Sequence, residues 1–246
     1  RHFGTISRVN TMSRMLEVFF SGYIEELLEQ KKYQNVYSVF SGGDDLFLIG
    51  PWDIMLALAV EIRNNFRRFC AENDSVTISA AVSIFHSKEH ISFMAERSEE
   101  DLKRAKNQSS LIVYPHRTGR NAICVMNQLF SWGDFEEQLH IAERLSGMIR
   151  KNLVDISMLR RIVKYSKMYK EYLNGDVWQL RFEPLFTYDE ARNYHMKRND
   201  KDSEWFAKEY IRTMKNASDP KKVKKNLFFA ESTITIALNK TRRERR

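Results

Sequence analysis

The residues of this 246-residue chain best suited to chemistry stand together at Ser41-Gly42-Gly43-Asp44-Asp45. Two adjacent carboxylates repel each other, and a hard divalent ion such as Mg²⁺ or Mn²⁺ relieves that repulsion by taking their oxygens. Gly42 and Gly43 lack a Cβ, so backbone N–H groups there can approach a phosphate or a base closely. A metal held by Asp44 and Asp45 would bridge phosphate oxygens and stabilise charge as a ribose hydroxyl attacks an α-phosphate. Alone, Gly-Gly-Asp-Asp also fits an ordinary solvated type I′ turn. The surroundings favour a site, because very apolar segments flank the turn on both sides.

Those segments predict what must hold the turn. Asn35–Phe40 and Leu46–Ile49 read as two short strands, so the turn becomes the tip of a β-hairpin closed by Gly50-Pro51. An amphipathic helix is predicted before it over residues 7–30, with Met12, Met15, Leu16, Phe19, Phe20, Tyr23, Ile24, Leu27 and Leu28 on one face. Asp53 can cap a second helix running to about Glu72. Val76, Ile78, Ala80, Val82 and Ile84 alternate strictly and predict a strand. Another helix is expected from Ile91 to Lys106, then a short strand from Ala122 to Met126; residues 107–118 fit neither period. From Trp132 onward helices dominate, with segments at 132–151, 156–173, 188–197, 204–216 and 226–239. The expectation is an α+β domain over residues 1–130 and a mainly helical domain over 131–246.

Charge divides the same way. Residues 1–139 hold 15 Lys/Arg against 18 Asp/Glu, whereas residues 140–246 hold 25 against 14. An acidic, metal-binding half and a basic half facing a polyanion are implied. Lys221, Lys222, Lys224 and Lys225 form a basic cluster that reads either as a solvated face or as phosphate contacts with RNA. Arg242-Arg243-Glu244-Arg245-Arg246 reads alike. No stretch has the length and apolarity of a membrane span. Cys70 and Cys124 lack metal-site spacing and read as reduced thiols of a cytoplasmic protein. His86 and His90 fit a helix start better than a metal site. Trp132, Trp178 and Trp205 read as core residues rather than as base-stacking platforms.

The pattern resembles palm domains shared by GGDEF-type diguanylate cyclases and some polymerases. Ala95-Glu96 through Leu102, Ala105-Lys106 and Gly119-Arg120-Asn121 follow the cyclase order, but Asp45 stands where the cyclases have Glu. Ile6-Ser7-Arg8, Met12-Ser13-Arg14, Phe19-Phe20 and Ser41-Gly42-Gly43-Asp44-Asp45-Leu46-Phe47 are more similar to another family. That family is the large polymerase-like signature subunit of type III (III-A-like) CRISPR interference complexes. Phe130-Ser131-Trp132 resembles the opening of that family's last, helical domain. The resemblance covers about residues 1–150.

This resemblance implies a ferredoxin-like palm, a helical bundle after it, and conversion of ATP to cyclic oligoadenylates when the complex binds target RNA. It implies Asp44 and Asp45 as metal ligands for Mg²⁺ or Mn²⁺, and Ser41, Gly42 and Gly43 as the nucleotide border. Lys106 would reach the triphosphate, or be a solvated helix-end lysine. Implied partners are guide RNA, target RNA and the other subunits of a prokaryotic cytoplasmic complex, with no membrane. In this fold a first strand bearing further aspartates precedes the helix that here starts near residue 7. The palm is therefore expected to lack that strand and to be a fragment. No His-Asp dipeptide occurs, so no deoxyribonuclease activity is assigned to these residues. A diguanylate cyclase, or a catalytically silent RNA-binding scaffold, are the alternative readings.

Overall fold

The computed structural model describes residues 6–86, 88–107, 120–193, 201–215 and 224–243. The chain is mixed α+β and mostly helical, with small sheets in which the strand pairs Tyr37–Gly42 with Asp45–Ile49 and Ala122–Val125 with Gln128–Ser131 are antiparallel. It divides into two compact units, residues 1–102 and 103–246.

In the first unit, the helix expected over 7–30 forms in three pieces. These are α1 (Ile6–Glu17), a π-helical segment (Val18–Tyr23) and α2 (Ile24–Leu28). Only the later part of its apolar face is used. Phe19, Phe20, Ile24 and Leu27 are buried, whereas α1 buries nothing and Met12 and Met15 stay exposed. A 3₁₀ turn (Lys31–Tyr33) leads to β1 (Tyr37–Gly42) and β2 (Asp45–Ile49), and α3 (Trp52–Phe69) follows. The core joins Phe19, Phe20, Ile24 and Leu27 to Leu58, Ile62 and Phe66 of α3, with Leu46 and Leu48 of β2 packed against it. Phe19 meets Phe66 edge-on at 5.2 Å, an arrangement aromatic quadrupoles favour.

Two expectations are corrected here. Asp53 does not cap α3; Pro51 occupies the cap position and Asp53 lies in the first turn. A carboxylate there faces the positive end of the helix dipole. The strand expected over 76–84 shrinks to β3 (Ala80–Val82). Val76 and Ile78 still pack on the core, so the alternation reports which side chains turn inward and does not establish a hydrogen-bonded ladder. Helix α4 (Ile91–Asn107) forms as expected, and the carbonyl of His90 accepts from the backbone N–H of Met94 at its start.

In the second unit, β4 (Ala122–Val125) pairs antiparallel with β5 (Gln128–Ser131). Met126 and Asn127 link them, both at positive φ (51° and 65°), the φ signs of a type I′ turn. The sequence reading missed β5, because Met seldom takes that conformation. Helices α5 (Trp132–Arg150), α6 (Ile156–Leu173), α7 (Phe182–Asn193), α8 (Lys201–Glu204), α9 (Ile211–Lys215) and α10 (Lys225–Arg243) follow. A 3₁₀ turn (Val177–Arg181) precedes α7, and a π-helical segment (Trp205–Tyr210) joins α8 to α9. Ser131 caps α5 by accepting from the Asp134 N–H at 3.1 Å. Helix α10 packs along α5 and α6, where Phe130 stacks on Phe229 at 4.5 Å. Thr233 donates to Gln138 at 2.7 Å, so the buried polar groups of α5 and α10 satisfy each other.

Trp132 is core, as expected, and Trp205 stacks on Tyr210 at 5.1 Å beneath the Arg144 guanidinium. Trp178 is not core; it is 85% exposed. Among the described residues, no helix is long and apolar enough to cross a membrane, and Cys70 and Cys124 form no disulfide. The Tyr210 hydroxyl is buried without a hydrogen-bond partner, and burial pushes its pKa up. A desolvated, unpaired hydroxyl costs about 1–3 kcal/mol. Tyr210→Phe is therefore expected to leave the ring stack intact and raise stability by about 1 kcal/mol, read as an increased denaturation midpoint at unchanged slope; a loss of 1 kcal/mol or more would show that the hydroxyl is satisfied.

Candidate active site

The motif residues sit at the tip of the β1–β2 ribbon. Gly42 pairs with Asp45, and only Gly43 and Asp44 lie in the turn. Gly43 has φ +62° and Asp44 does not share the positive sign. Those are the φ signs of a type II′ turn, which asks for glycine at its first central position. The ordinary type I′ turn that these residues also fit would need a positive φ at Asp44 as well. Gly43, Asp44 and Asp45 are exposed; Ser41 and Gly42 are half-buried.

The ribbon is held from below. The Ser41 hydroxyl donates to the backbone carbonyl of Phe20, inside the π-helical segment. Ser21 returns a longer bond, its hydroxyl 3.4 Å from the Ser41 carbonyl. In the π register the Ile24 N–H reaches back to the Phe19 carbonyl, and such one-turn irregularities recur at functional sites. A bulge between Ser38 and Phe40 interrupts the ladder and adds local twist. At the other end, Tyr33 donates to Glu61 of α3 at 2.6 Å and Lys32 pairs with the same carboxylate at 2.7 Å. Burial would raise the Glu61 pKa, but these donations outweigh it and hold the carboxyl below its usual range. A Cβ on Gly50 would meet the Met55 and Val36 side chains at 3.0 Å, so the exit from β2 is tight and a larger residue there would have to displace them slightly.

The two glycines of the tip differ. At Gly42 a Cβ would meet only the Phe40 ring, at an ordinary 3.8 Å. At Gly43 there is open space but a left-handed φ. The fold therefore needs glycine at 43, and leaves position 42 free to be chosen for what approaches it.

Among the described residues, no three His, Cys, Asp or Glu side chains come together as a metal site. Asp44 and Asp45 supply two carboxylates, a donor set that fits Mg²⁺ or Mn²⁺ when nucleotide phosphates and water complete the shell. Lys106 is exposed in the last turn of α4 and belongs to the second unit. Lys221 and Lys222 lie outside the described residues. Lys224 pairs with Glu183 at 2.5 Å and Lys225 with Asp134 at 3.0 Å. These two lysines fasten the start of α10 to α7 and α5, a use that the run of like charges did not disclose. His86 and His90 are exposed and, among the described residues, belong to no group of three or more potential metal ligands.

Residues 2–123 match the second palm domain of Cas10/Cmr2. The chain belongs to the Cas10/Cmr2 family. A Methanocaldococcus jannaschii protein named CRISPR system single-strand-specific deoxyribonuclease Cas10/Csm1 (subtype III-A) is 33% identical over 176 residues, 63% of this chain and 21% of that protein. The Streptococcus thermophilus protein of the same name is 38% identical over 104 residues, 42% of this chain and 13% of that protein. Solved Csm1–Csm4 cassettes in complex with cA4 and with one ATP superpose with TM-scores of 0.64 and 0.61, at 18% and 19% identity. Each covers 94% of this chain, which spans 33% and 32% of those chains. At that identity the superposition shows the fold alone. This Cas10/Cmr2 palm spans only a small part of the curated relatives it matches.

Removing the tie beneath the tip separates support from chemistry. Ser41→Ala is expected to cost about 1 kcal/mol, the worth of one hydrogen bond, read by chemical denaturation. Gly43→Ala should cost a comparable amount through its positive φ. Gly42→Ala should leave stability within about 0.5 kcal/mol; a larger loss would show that the protein itself, and not a ligand, needs glycine there.

Proposed function

We propose that this chain carries the nucleotidyl-transfer loop of a type III CRISPR large subunit that converts ATP to cyclic oligoadenylates once target RNA is bound. The carrying observation is the two-residue tip, which presents Asp44 and Asp45 to solvent on a ribbon clamped to the first helix. Exposed adjacent carboxylates contribute little to packing, so holding them this way favours a ligand. The Csm1–Csm4 structures in complex with ATP and cA4 support adenine nucleotides as the substrate class.

In this reading Asp44 and Asp45 hold a divalent ion, which neutralises phosphate charge when bound. Gly42 lets the ribbon backbone close on the nucleotide, and Ser41 fixes the ribbon's height through the Phe20 carbonyl. The transfer joins a ribose hydroxyl oxygen of one ATP to the α-phosphorus of another. Pyrophosphate leaves, and the hydroxyl proton passes to solvent. Lys106 is carried as a triphosphate contact on the family resemblance alone. Residues 1–130 act as the palm, and residues 131–246 dock the subunit onto guide and target RNA and neighbouring subunits. The deoxyribonuclease named in the relatives is not assigned to these residues.

ATP should be bound in preference to GTP by the full-length protein with Mn²⁺; the reverse preference would favour the diguanylate cyclase reading. Asp44→Ala with Asp45→Ala should reduce labelled-ATP conversion by the assembled complex on the order of 10²-fold or more, with assembly and RNA binding unchanged. Undiminished oligoadenylate formation would remove the catalytic assignment.

A further inference from the structure

The 3₁₀ turn and α7 form one continuous helical stretch from Val177 to Asn193. One face is anchored. Phe182 and Phe186 are buried against Tyr169 and Tyr165 of α6, at ring distances of 5.3 and 5.5 Å. Asp189, also buried, accepts from Tyr165 at 2.5 Å and pairs with Arg161 at 3.0 Å. The backbone of this stretch is therefore fixed.

A second face, beside the first, is left bare. Trp178, Arg181, Leu185, Tyr188 and Arg192 follow one another at spacings of three and four residues, which places them in one stripe. Trp178 is 85% exposed, Tyr188 56% and Leu185 43%. Tryptophan is ordinarily well buried, and an exposed aromatic stripe on a fixed helix marks a binding surface. The Arg192 guanidinium lies over the Tyr188 ring at 5.4 Å and donates to its hydroxyl.

Charge identifies the occupant. The carboxylates of the stretch are paired with cations, Glu183 with Lys224, Asp189 with Arg161 and Glu190 with Lys215, while Asp176 just before it accepts from the Trp178 N–H and Gln179. Arg181 has no acidic partner among the described residues, and neither do the exposed Arg160 and Lys164 of neighbouring α6. The surface therefore alternates flat rings with uncompensated cations. A partner helix would prefer aliphatic residues at the two arginine positions of such a seam. Stacked bases and phosphates suit rings and cations together.

We infer that the Trp178–Tyr188 stripe binds single-stranded nucleic acid, with bases stacked on the two rings and phosphates on Arg181 and Arg192. This rests on the reading of residues 131–246 as the RNA-docking part, and moves the contact from the lysine cluster to α7. Stacking and charge do not read the sugar, so RNA and DNA single strands bind alike. Duplex binds more weakly, because its base faces are covered.

The test is titration of the full-length protein with fluorescently labelled 12-nucleotide strands of uridine RNA and of thymidine DNA, and with a duplex of equal length. Trp178→Ala and Tyr188→Ala should each weaken single-strand binding on the order of tenfold, while Trp178→Phe retains most of it. Arg181→Ala with Arg192→Ala should lower the slope of log affinity against log salt by about 0.7 for each phosphate no longer neutralised. Unchanged circular dichroism and melting would show that the exposed substitutions leave the fold intact. Wild-type binding with unaltered affinity in the aromatic variants overturns the inference but leaves RNA docking elsewhere on the domain. Absence of single-strand binding by the wild type overturns both. Aromatic variants that lose a protein subunit from the complex while keeping oligonucleotide affinity also overturn it, by making the stripe a protein interface.

Discussion

One polar link governs the geometry of the candidate site. The Ser41 hydroxyl is bonded to the Phe20 carbonyl within the π-helical segment, one residue from Ser21, which bonds back to the Ser41 carbonyl. Neighbouring Phe19 and Phe20 are buried in the aromatic core with Phe66 of α3. The ribbon is thus referenced to the buried aromatic core of its unit, and close packing resists displacement. Asp44 and Asp45 need no packing of their own, because a tight turn two residues beyond an anchored serine has little freedom.

The second unit is stabilised differently. Its helices enclose an apolar core, yet the seam between α5 and α10 also carries Gln138, Thr233, Ser146 and Thr241, bonded to one another. Matched buried polar groups add little net stability but penalise misregistered packing, which would leave them unpaired. At the rim, lysines from the basic run become staples: Lys225 reaches Asp134 beside the α5 cap, and Lys224 reaches Glu183. Partly exposed pairs of this kind contribute about 0–1 kcal/mol each, so they guide alignment more than they stabilise. A high count of basic residues therefore overstates the charge available to a partner, and the cations that matter are those left uncompensated.

Membership of the Cas10/Cmr2 family gives the ribbon its context. Two exposed carboxylates on a hairpin are a weak signal alone. Their weight comes from a π-segment that accepts the serine, a bulge that twists the ribbon, and a glycine at 42 that the fold itself does not require. These features interrupt regular hydrogen bonding, and backbone irregularity of this kind clusters at functional sites.

Much of this was legible in sequence. Apolar periodicity placed most helices to within a few residues, from Ile91–Asn107 to Ile156–Leu173, because a buried stripe must repeat at the helical period. The Gly-Gly-Asp-Asp tip was legible because few residues make so tight a turn. Other features were not. The exposure of Met12 and Met15 and the shortness of β3 depend on whether a neighbour covers an apolar face, and a pattern of hydrophobicity names the face without naming its neighbour. β5 was hidden by Met126 at positive φ, and Trp178 was misread because tryptophan usually lies inside. The sequence alone singled out the candidate residues and the hairpin that holds them, since these follow from side-chain type and short-range sterics. Tertiary structure decided which lysines are already paired, which aromatic ring meets water and what Ser41 holds, because those depend on partners 20 to 90 residues away in the chain.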